Sequence, residues 1–129
     1  MTNVIVAGHA GYGTAIENSL AMILGSAEGF EYVDFNRDDS LETLDAKLRR
    51  AVALCKDNEI LFTCDLAGGS PFKQSAMICV ENSKYRAIAG INLATFAELV
   101  YNLTLSAGEL SDLARDTMGI TVVQFPPLT

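Results

Sequence analysis

Two short runs limit what this chain can fold into. Asn3 to Ala7 (NVIVA) and Glu59 to Cys64 (EILFTC) are apolar at nearly every position, without the alternation of a strand that shows one face to water. Strands of that kind are covered on both faces, and the folds that achieve this place helices on either side of a parallel sheet. Three further β-rich runs, Phe30 to Asp34, Tyr85 to Ala89 and Ile120 to Phe125, alternate with stretches of helical period. The pattern predicts an α/β fold: an open doubly wound sheet of four parallel strands in the order 2-1-3-4, with the first and third central. No linker, repeat or low-complexity segment interrupts the 129 residues, so residues 1–129 are expected to form a single domain.

The helices announce their ends. Asp39 with Glu42 three residues on reads as a capping box, and Leu41, Leu44, Leu48, Val52 and Cys55 follow at helical spacing. Ser106 with Glu109 repeats the box, Leu110, Leu113 and Ala114 supply an apolar face, and Gly119 reads as the stop. Helices at about residues 93 to 104 and 107 to 118 thus separate the fourth strand from a fifth that ends in Pro126-Pro127. Proline there suits an edge strand or an exchanged tail, so the last strand is expected to run antiparallel and to cross to a second copy in a homodimer.

Composition removes several function classes. Half the residues are hydrophobic, yet Gly, Asp, Asn or Lys cuts every apolar stretch before the roughly 18 needed to cross a bilayer. Nine Lys plus Arg against sixteen Asp plus Glu give a net charge of −7 with no basic stripe, which points away from nucleic acid and anionic lipid and toward proteins or small molecules. The start MTNVIVAG has neither the basic end nor the cleavage site of a secretory signal, and a cytoplasmic protein without disulfides is expected. Cys55, Cys64 and Cys79 lack C-x-x-C spacing and read as small core hydrophobes, with Cys64 beside Asp65 the one to watch. With a single histidine in the chain, no metal site and no cofactor are expected.

That histidine, His9, lies in VIVAGHAGYG (residues 4–13), on a loop where a buried strand gives out. The third strand ends in CDLAGGSPF (residues 64–72). There Gly68 and Gly69 let the backbone turn sharply and approach a ligand, Ser70 is a good N-cap, and Pro71 is pre-set for the first helical position. A glycine loop feeding a helix start presents free N–H groups and the positive pole of the helix dipole, so residues 68 to 72 form a cradle for phosphate. In a 2-1-3-4 sheet the first and third strands are neighbours whose connections leave in opposite directions, which sets His9 and Asp65 face to face across a crevice. Asp65 can hold Nδ1–H and leave the Nε2 lone pair free, making the ring an oriented nucleophile for phosphoryl transfer. Tyr12 and Thr14 could donate to a phosphate, although Thr14 suits a helix cap equally well; Phe72 and Phe96 read as core and Lys73 as a solvated side chain.

These motifs, together with AIAGINLATFAEL (residues 87–99), resemble the mannose-type enzyme IIA of the bacterial phosphoenolpyruvate-dependent sugar phosphotransferase system, over essentially the whole chain. The resemblance implies a phosphotransferase with a transient phosphohistidine. His9 would take a phosphoryl group at Nε2 from the histidine-containing phosphocarrier protein and give it to enzyme IIB for sugar uptake. Asp65 would be the Nδ1 partner and Ser70 would lie near the phosphoryl oxygens, which agrees with the cradle, where Gly68, Gly69, Ser70 and Phe72 are the expected phosphate-binding residues. It further implies a homodimer that reaches the membrane sugar permease only through IIB. Ala67 stands where many relatives carry an aromatic or bulky residue, and Lys73 where they commonly carry Asn. Two alternatives belong to other branches of this chemistry: a regulatory phosphohistidine module, and the phosphocarrier subunit of dihydroxyacetone kinase, which departs from the GGSPF motif.

Overall fold

The computed structural model describes residues 1–127. Its elements run β1 (Thr2–His9), α1 (Tyr12–Leu24), β2 (Phe30–Phe35), α2 (Leu41–Leu54), β3 (Glu59–Cys64), α3 (Ser70–Val80), β4 (Tyr85–Ala89), α4 (Leu93–Val100) and α5 (Ala107–Thr121). The four strands are parallel in the order β2-β1-β3-β4, as the apolar runs predict.

The period-2 geometry of β1 explains the two layers. Val4 and Val6 point to one face, where Leu20, Phe30, Leu61, Phe96, Leu99 and Leu110 bury them beneath α1, α4 and α5. Ile5 and Ala7 point to the other, into Val33, Leu44, Leu48, Ile60, Phe62 and Ile78 beneath α2 and α3. Each central strand therefore feeds both cores, and the buried hydroxyls they carry, Thr2 in β1 and Thr63 in β3, each donate to a backbone carbonyl. Because α1 and α3 leave β1 and β3 for opposite faces, a crevice opens at the carboxyl ends of these two strands.

Four local expectations are corrected. Ser40, not Asp39, caps α2: its Oγ accepts the Thr43 N–H at 3.1 Å, while the Asp39 carboxylate accepts the Asn36 N–H at 2.8 Å and pairs with Lys47 at 2.6 Å. Gly69, not Ser70, is the N-cap of α3, since the Gly69 carbonyl already accepts the Lys73 N–H at 3.2 Å and Ser70 is the first helical residue. The capping box of Ser106 and Glu109 is present, with bonds of 3.1 and 3.0 Å, but α5 runs through Gly119 to Thr121. Asn92, at the N-cap of α4, ties that extra turn down by donating to Thr121 Oγ1 at 2.9 Å. The strand expected from Ile120 to Phe125 is thus partly the last turn of α5, and Val122 to Phe125 form no strand in the single chain. A strand exists only with a ladder partner, and among the described residues the sheet holds β2, β1, β3 and β4 alone.

Candidate active site

His9 is the last residue of β1 and Asp65 the first after β3. The pairing of Ala7 with Cys64 in the β1–β3 register brings their side chains together. Nδ1 of His9 lies 2.8 Å from Oδ2 of Asp65, and the same oxygen accepts the His9 backbone N–H at 2.9 Å. The other oxygen, Oδ1, accepts the Leu66 N–H at 3.0 Å. Burial pushes the Asp65 carboxyl up, but the backbone and ring donors of His9 and the N–H of Leu66 outweigh it and hold the group below its usual value. An ionised carboxylate only accepts, so in the neutral ring Nδ1 carries the proton and Nε2 the lone pair. The two side chains are 44% and 13% exposed respectively, which leaves the ring open to a partner and the carboxylate covered.

Three neighbours escaped the sequence reading in whole or in part. Phe35, at the end of β2, stands edge-on to the imidazole with ring centroids 5.9 Å apart and planes at 61°. The parallel register that pairs His9 with Phe35 is the signal that points to it. The N-cap of α1 is Gly11, and Asp34 of β2 supplies acceptors to the first turn: its two oxygens accept the Thr14 N–H at 3.0 Å and the Thr14 hydroxyl at 2.5 Å, so Thr14 is tied to β2. Tyr12 lies over the glycine before the histidine, for a Cβ on Gly8 would come within 2.4 Å of its Cδ1. Burial, then the nearby Asp65 and Cys64, push its phenol up to about 12, so it stays a neutral donor.

The helix start at α3 faces this pair. Lys73 N–H is used by Gly69 and Pro71 has none, so Ser70 and Phe72 hold the free N–H groups of the first turn. Phe72's ring packs into the core beneath α2 and α3, and Phe96 is fully buried on the opposite face. Gly68 and Gly69 do not take left-handed conformations, in contrast to Gly25, Gly29 and Gly90. Lys73 and Ala67 are exposed. Cys64 belongs to the core: burial raises its thiol to about 12 despite the Ser75 hydroxyl 3.6 Å away, and Cys55 and Cys79 are raised by burial to about 11. Among the described residues no three His, Cys, Asp or Glu side chains converge as metal ligands, and no helix is long and apolar enough to cross a membrane.

An imidazole with an oriented free nitrogen beside a helix start can take and release a phosphoryl group. Residues 3–114 match the family described as "PTS system fructose IIA component", the mannose-type IIA group of the phosphotransferase system. The chain belongs to this enzyme IIA family. Among its relatives is the fructose-specific EIIA component of Bacillus subtilis (strain 168), 30% identical over 101 residues, 78% of this chain and 69% of that one. The mannose-specific EIIAB component of Escherichia coli (strain K12) is 34% identical over 100 residues, 76% of this chain but only 31% of the longer relative. A crystal structure of phosphotransferase system component EIIA from Streptococcus agalactiae superimposes with a TM-score of 0.89 at 29% identity, covering 97% of this chain and 98% of that one. As a mannose-family IIA component the chain is placed in phosphotransfer for sugar uptake, and the match favours that role over the regulatory and dihydroxyacetone kinase alternatives.

Proposed function

We propose that His9 is the residue of this IIA component that carries the phosphoryl group. The observation that carries the reading is the 2.8 Å contact between Nδ1 and Asp65, which leaves Nε2 as the free nitrogen beside the start of α3. The Nε2 lone pair attacks phosphorus while the bond from phosphorus to the carrier protein's histidine breaks, and that electron pair stays on the carrier. His9 becomes a phosphoimidazolium that keeps its Nδ1 proton, and the carboxylate of Asp65 offsets the new positive charge. The N–H groups of Ser70 and Phe72, with the Ser70 hydroxyl and the exposed backbone of Gly68, receive the phosphoryl oxygens, while Gly69, buried and with its N–H donated to the Leu66 carbonyl, lines the cradle. Transfer to an acceptor on enzyme IIB returns His9 to the neutral ring.

The reading includes its setting. Residues 1–129 act as one IIA unit in the cytoplasm, receive phosphate from the histidine-containing phosphocarrier protein, and meet the membrane permease through IIB. Two copies associate through the segment after α5, whose Val122, Val123 and Phe125 are 72%, 86% and 92% exposed, against the unpaired edge of β4.

Incubation with phosphoenolpyruvate, enzyme I and the carrier protein, followed by intact mass, tests the central claim. A gain of about 80 Da, one phosphoryl group, is expected for the wild type and none for His9→Ala. A phosphorylated His9→Ala protein would move the site elsewhere.

A further inference from the structure

The backbone does not require glycine at position 69. Its φ of −95° and ψ of 166° are extended values open to any residue. What the position cannot hold is a side chain. A Cβ built on Gly69 would lie 2.4 Å from Cε1 of His9 and 3.1 Å from Nε2, and the first distance is far inside van der Waals contact. The bare backbone at the start of α3 is therefore a wall against which the imidazole rests. Strands β2 and β3 flank β1, so Phe35, edge-on to the same ring, reaches it from the other side. The Nδ1 edge is held by Asp65.

We propose that Gly69 and Phe35 are positioning residues that clamp the His9 imidazole between them and so aim Nε2. The inference rests on the phosphotransfer reading for its chemical meaning, while its geometry stands apart from it. Asp65 alone fixes one nitrogen and leaves the ring free to swing about that bond. Walls on two sides remove the swing, and a reaction that depends on in-line approach is sensitive to displacements of this size. Glycine at 69 is then a requirement of the histidine, with the phosphoryl group occupying the space beyond it.

The test uses the fact that His9 is the only histidine, so its ring nitrogens give unambiguous NMR signals. Gly69→Ala is allowed by the backbone and forces the ring to move. Single-turnover transfer from the phosphorylated carrier protein should slow by about tenfold or more, and the Nδ1–H signal should shift or vanish, with the circular dichroism unchanged. Gly119→Ala, in α5, where the added methyl meets nothing within 4 Å beyond the helix's own neighbouring turns, is the control and should match the wild type in rate and ring signals. A wild-type rate in Gly69→Ala overturns the clamp. So does a slowed rate with unmoved ring signals, because the methyl would then obstruct the phosphoryl group and leave the ring in place. If the wild type itself takes up no phosphate, the phosphotransfer reading falls and the ring signals of Gly69→Ala alone decide: displacement supports the clamp and wild-type signals overturn it. Should Gly69→Ala fail to fold, Phe35→Leu removes the opposite wall; slowed transfer with a broadened Nδ1–H signal supports the clamp, and anything closer to wild type overturns it.

Discussion

Asp65 accepts three hydrogen bonds with two oxygens, and two of the donors belong to His9. Replacing it with Asn keeps the shape and removes the charge; the amide can also flip and stabilise the wrong tautomer. Asp65→Asn should slow single-turnover phosphoryl transfer by roughly 100-fold or more, by analogy with other carboxylate–histidine pairs. The same carboxylate gives stability a sign. Its folded pKa is held below the unfolded value, so its contribution is complete above the usual carboxylate range near pH 4 and is lost as pH falls through the folded value. Thermal unfolding followed from neutral pH down to about pH 3 should therefore show a smaller fall in Tm for Asp65→Asn than for the wild type. An equal fall in both would show that Asp65 gains nothing from its donors. At this scale the sequence was readable where chemistry sits at a strand end. The contact between His9 and Asp65 follows from their places at the ends of neighbouring strands, whereas Phe35 looks like any strand aromatic until the parallel register sets it beside the imidazole.

Helix starts show where local reading stops. Ser106 and Glu109 close their box without outside help, so their pattern is self-contained. Asp39 and Ser40 are adjacent and both good caps; the choice between them falls to Asn36 and Lys47, which claim the aspartate from a turn and from the next turns of α2. Ser40→Ala should accordingly cost about 1 kcal/mol in urea unfolding, the usual loss of a cap. A stability within error of the wild type would return the capping role to Asp39. The same limit explains α5. Gly119 is a stop signal only if nothing beyond it holds the helix, and the bond from Asn92 to Thr121 does so from a residue far away in sequence.

On the scale of the molecule, the sheet order followed from two runs too apolar to face water, because burying both faces of β1 and β3 leaves few arrangements. The last segment was not readable in the same way. Val122, Val123 and Phe125 are β-forming residues, but among the described residues they pair with no strand. Removing residues 122–129 is expected to convert the protein from dimer to monomer in sedimentation equilibrium at micromolar concentration while leaving α5 and its tie to Asn92 intact. A truncated protein that remains dimeric would place the contact elsewhere, with exposed Met22, Ile23 and Tyr101 as the next apolar surface to examine.

The strand that ends in His9 is bonded along both edges and contributes side chains to both cores. Amides in such a strand exchange with solvent only when the whole domain opens, whereas chain ends and loop edges exchange by local fluctuation. The His9 ring therefore hangs from what should be the slowest-exchanging part of the protein. Warming toward the unfolding transition should fray the segment beyond α5 and loosen the loop from Leu66 to Gly69 well before it disturbs β1, so that protection factors would rise from these segments inward to the backbone that carries His9.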